Sequence, residues 1–439
     1  MPEALSFACI HPVPKPGKDN TALASYRPIT IGSTIAKVFE SCILLSYGHL
    51  LTTSSFQYGF KAGVDTAQCT LAVKAVARHF TSRGSRVYAA LLDASKAFDR
   101  SNYARIFQSL LYRGLPSSVV HLLYKWYTST KVRVSWNSSM SSKSFELEHG
   151  VRQGGLLSPV LFAILYDELI LLLQASGLGC HIGSRFVGTF AYADDLILLA
   201  PSLSALNNML KVCHDWSHNS SICFNPAKSV VICLHGKLKD TVGNLPIQAR
   251  LGNTLIASAK QVTHLGHLIS ADLTDSSEVI RIAKAYNRQF HAFFSKFRTL
   301  RDRSVLIQLY KTYCTSFYGL ESIFISNCSS AARKLLTKSV NLSLMKLLNL
   351  PRESISQYLI AHGILNAEMI WKIRQLSFWS SAKLYTPFHG QWLVLKVFQP
   401  EIDSLAEAVD ICPILLHKTP KSRIWHNCLY YWMQKKNLC

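Results

Sequence analysis

Phe190-Ala191-Tyr192-Ala193-Asp194-Asp195-Leu196-Ile197-Leu198-Leu199 sets two adjacent acids between two short apolar runs. Each run has the length of a strand, so the pattern predicts a hairpin with the acid pair at its tip. An Asp pair there has an ordinary reading, because Asp favours tight turns and a hairpin tip is solvated. A second acid weakens that reading. Asp93 follows Tyr88-Ala89-Ala90-Leu91-Leu92 and so also closes an apolar strand, although a cap or turn role would explain it alone. If the strands are neighbours, Asp93 and Asp194 meet at one sheet edge, where gathered carboxylates require a cation. Mg²⁺ suits the place: it takes hard oxygen ligands and keeps positions open for substrate phosphates. Two such ions about 4 Å apart can activate a 3′-hydroxyl and stabilise the leaving oxygen of an in-line phosphoryl transfer.

Between these acids lies Gly150-Val151-Arg152-Gln153-Gly154-Gly155-Leu156-Leu157-Ser158-Pro159, a Gly-rich turn opening a long apolar helix. Adjacent glycines permit close backbone approach, and Arg152 and Gln153 can hydrogen-bond a nucleotide or template. The same residues also read as a plain helix entry, with Ser158 as N-cap and Pro159 at N1.

The whole chain fits a polyanionic partner. Its 439 residues carry 47 Lys+Arg against 25 Asp+Glu, a net charge of +22 shared by both halves. Hydrophobic residues at 49% and aromatics at 11% exclude a disordered basic tail. The 12 cysteines show no Cys-x-x-Cys pair, and several lie in apolar runs, which points to a reducing, intracellular compartment. No signal peptide is evident. The apolar stretch from Leu156 to Leu173 contains Asp167 and Glu168 and reads as a buried helix, so no membrane is expected.

Strands alternate with helices but tight hairpins interrupt them, which predicts an α+β fold with a mostly antiparallel sheet. Residues 1–30, rich in Pro, read as an extended loop. Ile31 to Leu51 reads as a helix. A further helix is expected from Asp99, as its N-cap, to Gly114, and from Ser276 onward the pattern is mostly helical.

Taken together, the segments resemble the motifs of reverse transcriptases, and most of all the LINE-type (non-LTR) retrotransposon group. The resemblance rests on His11-Pro12-Val13-Pro14-Lys15-Pro16-Gly17-Lys18, Ser25-Tyr26-Arg27-Pro28-Ile29 and Gln57-Tyr58-Gly59-Phe60. It continues through Leu92-Asp93-Ala94-Ser95-Lys96-Ala97-Phe98-Asp99, Arg152-Gln153-Gly154 and Tyr192-Ala193-Asp194-Asp195. Phe224-Asn225-Pro226-Ala227-Lys228-Ser229 and His264-Leu265-Gly266 complete it. It implies a right-hand polymerase architecture: partial fingers at 1–86, a palm at 87–275, a helical thumb at 276–329 and a helical extension at 330–439. The implied activity is RNA-directed DNA polymerisation in retrotransposition, with two Mg²⁺ ions (Mn²⁺ as a substitute), dNTPs, an RNA template and a DNA primer or target.

By the same resemblance, Asp93, Asp194 and the Ala94 carbonyl would ligate metal, with Asp195 supportive. Phe98 would exclude a 2′-hydroxyl, and Lys15, Arg27 and Gln153 would hold the incoming nucleotide. Arg152 and Gly154 would belong to the template and nucleotide loop. Lys228 would protonate pyrophosphate, and His264, Leu265 and Gly266 would grip the primer.

Other groups have narrower readings. Arg281, Lys284 and Arg288 recur on one helical face and suit duplex phosphates. His214 and His218, four apart, read as helix-end histidines rather than a zinc pair. Cys412, His417, His426, Cys428 and Cys439 lack a zinc-knuckle start, and Trp371, Trp379, Trp392, Trp425 and Trp432 read as a helical core. Asp167 and Glu168 read as packing or capping groups. The resemblance also implies an N-terminal truncation with no endonuclease. The alternatives are an inactive nucleic-acid-binding remnant and a domesticated or group II intron-type enzyme. An intracellular site, in a cytoplasmic ribonucleoprotein or the nucleus, is expected.

Overall fold

The computed structural model describes residues 2–137, 139–141, 143–237, 247–350, 359, 364–382, 391–407 and 424. Cys412, His417, Trp425, His426, Cys428, Trp432 and Cys439, and the side chain of Trp392, lie outside the described residues. Two compact units form, each from separated stretches: one from 1–64, 89–231 and 246–258, the other from 65–88, 232–245 and 259–439. Contact density thus cuts the chain differently from the four motif-based segments. The α+β class expected from sequence is the one observed.

In the first unit, Phe7–Pro14 and Tyr26–Gly32 form an antiparallel pair of strands running from Ala8 opposite Gly32 to Pro14 opposite Tyr26. This corrects the loop expected over 1–30. Prolines normally argue against a strand, but here Pro12 faces Pro28, and neither need donate at a non-hydrogen-bonded pair. On its other side the first strand pairs Lys131–Trp136 only over Phe7 to Ile10, so Pro12 and Pro14 lie beyond that ladder. The second strand also takes the start of the expected Ile31–Leu51 helix, which begins at Thr34 under a Ser33 cap and ends at Tyr47.

A second sheet carries the acids. Its order is Thr189–Tyr192, Asp195–Ala200, Val87–Leu92, Val230–Leu234 and Ala257–Ser258. Two helices of the first unit have contrasting faces. Leu203–Ser220 is capped by the Ser202 side chain and buries Leu206, Met209, Leu210, Cys213 and Trp216 at helical spacing. Ser158–Ala175 is apolar all round and mostly buried. It is, among the described residues, the one helix long and apolar enough to cross a membrane. Both of its acids have structural partners, as expected. Asp167 accepts from the Ser54 N–H at 2.8 Å and pairs with Arg113 at 2.7 Å. Glu168 accepts from Ser109 Oγ at 2.8 Å and pairs with Arg105 at 3.3 Å.

The second unit is mostly helical. Thr66–Thr81 starts at an Asp65 cap and buries every residue from Ala67 to Ala77, Lys74 included. Lys74 Nζ lies 2.6 Å from Asp275 Oδ1, while Asn327 Nδ2 donates to Asp275 Oδ2 at 2.7 Å. Among the described residues, the helices Ser276–Phe297, Arg303–Cys314, Ser330–Leu348, Ala367–Ala382 and Gln391–Glu407 accompany it. Trp371 and Trp379 are buried, as a helical core requires.

Candidate active site

The hairpin register runs from Thr189 opposite Leu198 to Tyr192 opposite Asp195, leaving Ala193 and Asp194 as the turn. Ala193 has φ +58°, a left-handed conformation that costs an L-residue roughly 1–2 kcal/mol. The segment Phe56–Gly59 holds it there. Fully buried Gln57 accepts the N–H groups of Ala193 and Gly59 at Oε1, both at 2.9 Å, and donates Nε2 to the Ala193 carbonyl at 3.2 Å. A Cβ at Gly59 would run into the Ala193 backbone nitrogen, so the close approach requires glycine. The Tyr58 N–H donates to the Ala191 carbonyl at 2.7 Å, and the Ala191 N–H to that of Phe56 at 2.9 Å. Tyr166, on the buried helix, donates its hydroxyl to the Asp194 carbonyl at 3.1 Å. None of these bonds uses a carboxylate of the acid pair.

Asp93 belongs to the same negative island. Its charge acts on both Asp194 and Asp195, and all three acids push the Tyr166 hydroxyl further above the range that burial already sets. Burial first, then the Asp93 charge, raises the Asp194 carboxyl above its ordinary value. Asp195 is pushed up to about 6 by desolvation, then by Asp194 and Asp93. Its exposed position moderates desolvation, whereas the two like charges follow from Asp194 being its chain neighbour and from the strand that ends before Asp93 lying beside its own. Among the described residues, no cation pairs with Asp194 or Asp195. The cation beside Asp93 is the exposed Lys228, whose Nζ lies 3.4 Å from Asp93 Oδ2, an oxygen otherwise buried without a hydrogen-bond partner.

The segment bearing Lys228 is held by Asp93 itself. The Asp93 carbonyl accepts from the Asn225 N–H at 2.8 Å, its own N–H meets Ser229 Oγ at 3.3 Å, and Ala94 pairs with Phe224. An Asx turn at Asn225, whose Oδ1 accepts the Ala227 N–H, then turns the chain toward Lys228.

An orphaned carboxylate oxygen and three mutually repelling acids fit a divalent cation. Among the described residues no three His, Cys, Asp or Glu side chains form a ready-made cage. One or two carboxylates are enough for a hard divalent cation that completes its shell with water and substrate oxygens.

The flanking residues sort into those that could meet a nucleotide and those committed to structure. Half-buried Phe98 stacks on Phe162 with centroids 4.3 Å apart and meets Phe60 edge-on at 6.0 Å. Gln153 donates Nε2 to Asp99 Oδ1 at 2.8 Å, and its carbonyl accepts the Thr30 N–H at 2.7 Å. Gly154 has φ +132°, and a Cβ would come within 2.5 Å of the Thr30 carbonyl oxygen. That ties the loop to the strand carrying exposed Arg27. Lys15 lies just past Pro14 and donates Nζ to the Ala24 carbonyl at 2.8 Å, which closes its own loop.

Several expectations are corrected. Arg152 is 6% exposed; its guanidinium lies 4.0 Å over the Trp126 ring and 4.8 Å over Tyr127, and meets Glu40 at 3.4 Å. It braces the loop from beneath, its guanidinium engaged by the two rings and by Glu40. Asp99 is not the cap of the following helix: it sits within the short helix Ala97–Arg100, and Asn102 caps Tyr103–Tyr112 by accepting from the Arg105 N–H. Ser158 is likewise not a cap. The helix begins at Ser158 with no side-chain cap, and Glu40, from another helix, instead accepts the N–H of Leu156 just ahead of it at 2.7 Å.

In the second unit, His264, Leu265 and Gly266 turn between Gln261–His264 and His267–Ser270, with Leu265 and Gly266 at φ +50° and +80°. His264 is buried, its imidazole held neutral down to about 4. Tyr318 donates to the Leu265 carbonyl at 3.3 Å. Lys284 and Arg288 are exposed on their helix, whereas Arg281 forms two 2.6 Å bonds to the buried Glu278 carboxylate. Arg281, expected on the basic face, thus also serves as the partner of an acid on its own helix. In the first unit, His214 and His218 meet ring to ring, Nε2 to Nε2, at 3.1 Å, without a third ligand among the described residues.

Residues 13–269 match the family described as Reverse transcriptase (RNA-dependent DNA polymerase). The chain belongs to that family. Curated members similar to it are non-LTR retrotransposon proteins. The Pol polyprotein of the type-2 retrotransposable element R2DM of Drosophila melanogaster is 28% identical over 244 residues, 55% of this chain and 23% of that protein. The RNA-directed DNA polymerase from mobile element jockey of Drosophila funebris is 25% identical over 290 residues, 62% of this chain and 30% of that protein. The chain thus spans about a quarter to a third of the length of these relatives. Among solved structures, telomerase from Candida albicans, in a complex with a fragment of telomeric RNA, matches with a TM-score of 0.46. Identity is 12% over 93% of this chain and 64% of that one. Membership of the reverse transcriptase family accounts for the eight sequence segments together and supports the right-hand polymerase architecture expected from them.

Two site residues had faint signals in the sequence. Gln57 stands in one of the family segments, but nothing in the residue order assigns its side chain to the hairpin backbone. Glu40 is an acid on the inward face of an apolar-periodic helix, and that placement could have flagged a buried partner.

Proposed function

We propose that the chain is an RNA-directed DNA polymerase that extends a primer 3′-hydroxyl with dNTPs on an RNA template, as part of retrotransposition. The observation that carries this reading is the acid island, Asp194 and Asp195 without a cationic partner among the described residues on a rigidly braced hairpin and Asp93 with only exposed Lys228 beside it, within a reverse transcriptase domain. Asp93 and Asp194, with the Ala94 carbonyl, would hold two Mg²⁺ ions, for which Mn²⁺ can substitute, and Asp195 supports them electrostatically. Bound there, divalent cations supply Lewis-acid stabilisation of the attacking and leaving oxygens.

This chain's own residues do the rest. Phe98, stiffened by its stack on Phe162, presents an aromatic wall that a ribose 2′-hydroxyl would strike. Gln153, oriented by Asp99, lines the nucleotide place. Gly154 lets the backbone approach, and Lys15 and Arg27 attract the triphosphate from the neighbouring sheet. Lys228 offers the ammonium that can donate a proton to departing pyrophosphate. The turn at His264, Leu265 and Gly266 is assigned to the primer end, and Lys284 and Arg288 to duplex phosphates. Fingers at 1–86, palm at 87–275, thumb at 276–329 and extension at 330–439 remain the functional division proposed, and an intracellular ribonucleoprotein or nuclear site goes with it.

The test is primer extension by the purified chain on an RNA template with Mg²⁺. DNA synthesis that chelation abolishes is expected, and nucleic-acid binding without any synthesis would replace this reading with the inactive remnant. Phe98→Val should then admit ribonucleotides at least about tenfold more readily, a change of roughly 1.4 kcal/mol. Undiminished exclusion would remove Phe98 from that role.

A further inference from the structure

Outside the candidate active site, the second unit holds a cleft of about 520 Å³ between the helices Ser330–Leu348 and Ala367–Ala382. That is well within the roughly 300–1,000 Å³ of sites that take small organic ligands. Its chemistry is uneven. Arg333, Lys334 and Lys338 line it from one face of the first helix, and all three are exposed and unengaged by any acid among the described residues. The acid in the lining, Glu368, has Lys372 Nζ 3.5 Å away, so the local balance stays positive. Asn341 and Trp371 complete the relevant wall. The Asn341 Oδ1 atom is buried and accepts no hydrogen bond. Exposed Leu342 adds apolar surface to the lining, and buried Trp371 closes the floor beneath it, fixed in place because its Nε1 donates to the Ile323 carbonyl at 2.9 Å.

Each feature asks for a different part of a ligand. Three cations ask for an anion, and on one helical face they suit phosphate. An orphaned carbonyl oxygen asks for an N–H or O–H donor, which a phosphate diester or pyrophosphate lacks. An apolar wall beside both asks for a flat organic group. A nucleotide unit meets all three demands, with phosphate on the lysines and arginine, a base amino group or sugar hydroxyl on Asn341, and the base against the apolar wall.

We propose that this cleft is a second nucleic-acid site, which holds one nucleotide unit of a single-stranded RNA apart from the polymerising centre. It does not rest on the polymerase reading. The same chemistry could come from a free mononucleotide, so the experiment has two arms. The full chain is first saturated with a short primer–template duplex; binding of a fluorescent single-stranded RNA 10-mer is then followed by anisotropy, and AMP is titrated as competitor. The expected result is saturable second-site binding that Lys334→Glu/Lys338→Glu weakens at least tenfold, while extension of the short duplex is unchanged. Asn341→Leu, which keeps the volume but removes the acceptor, should weaken RNA binding several-fold without altering inhibition of that binding by inorganic pyrophosphate. If AMP alone displaces the RNA at micromolar concentration, the physiological occupant is the free nucleotide. Second-site affinity unchanged in the charge-reversal variant, or no second site at all, overturns the proposal whether or not the chain polymerises.

Discussion

Two groups of acids in this molecule are built on opposite principles. In the second unit, Asp275 is 2% exposed and has Lys74 at 2.6 Å, Arg78 at 3.7 Å and the Asn327 amide at 2.7 Å. In the first, Asp93, Asp194 and Asp195 stand together with one exposed lysine near one of them. Asp275 is neutralised because its job is to hold elements together, and a buried charge does so only when paired. The acid island is left uncompensated while its backbone is heavily braced by Gln57, Gly59 and Tyr166. Electrostatic tension on a rigid frame is what a site that receives a cation requires.

That contrast can be broken in several places. The largest effect is expected at Asp194→Asn. Loss of several kcal/mol of transition-state stabilisation implies a drop in primer extension of at least about a thousandfold. Thermal stability should hold or rise, because a repelling charge is removed. A variant that lost both activity and fold would mean the acid is structural after all.

The opposite pattern is expected at the other site. Lys74→Met alone leaves Asp275 buried with a weaker partner set and should cost about 3–5 kcal/mol of stability, read from denaturant unfolding. The double variant Lys74→Met/Asp275→Leu should recover much of that loss; equal loss in both variants would show that volume, not charge, decides there. Gln57→Leu comes next. It keeps the bulk but strips two hydrogen bonds from the turn at Ala193 and one from Gly59, at a cost of about 1–3 kcal/mol, with a fall in extension rate and little change in primer–template affinity. Unchanged kinetics would free the hairpin from its brace.

The smallest effect is one of sign. In metal-free buffer the folded-state values of Asp194 and Asp195 lie above those of the unfolded chain. The native state therefore holds more protons, and stability falls as pH rises from about 4 toward 6. His264 and His267 go the other way: burial lowers them to about 4 and about 3, so their contribution is complete above about 6.5 and is lost as pH falls. Unfolding midpoints of wild type against Asp194→Asn/Asp195→Asn should diverge above pH 6 and converge near pH 4. Parallel curves would refute the repulsion in the island.

Much of the site was legible because its signals are local. Two acids between apolar runs announce a hairpin tip, and Leu92-Asp93 announces a strand end. The roles that went unread are those in which a side chain serves a distant backbone. Arg152 looked like a nucleic-acid contact because arginine beside glycines is the ordinary form of one, yet Trp126, Tyr127 and Glu40 claim it from elsewhere in the unit. Asp99 and Ser158 have the composition of caps, but Asn102 caps the first helix and the second has no side-chain cap, Glu40 instead holding the Leu156 N–H ahead of it. Pro12 and Pro28 read as breakers singly, and only their register opposite one another makes a strand pair.

By itself, then, the order of residues determined the α+β class, the eight family segments, the identity of the acids and the excess of positive charge, since each depends on composition and near-neighbour spacing. Tertiary structure alone decided which charges are satisfied. It paired Asp275, Glu40, Asp167 and Arg281, and left Asp194 and Asp195 without a cationic partner among the described residues, with only exposed Lys228 beside Asp93. The reason is physical: whether a charge is neutral structure or available chemistry depends on what lies within a few ångströms of it, and most of those neighbours come from distant parts of the chain.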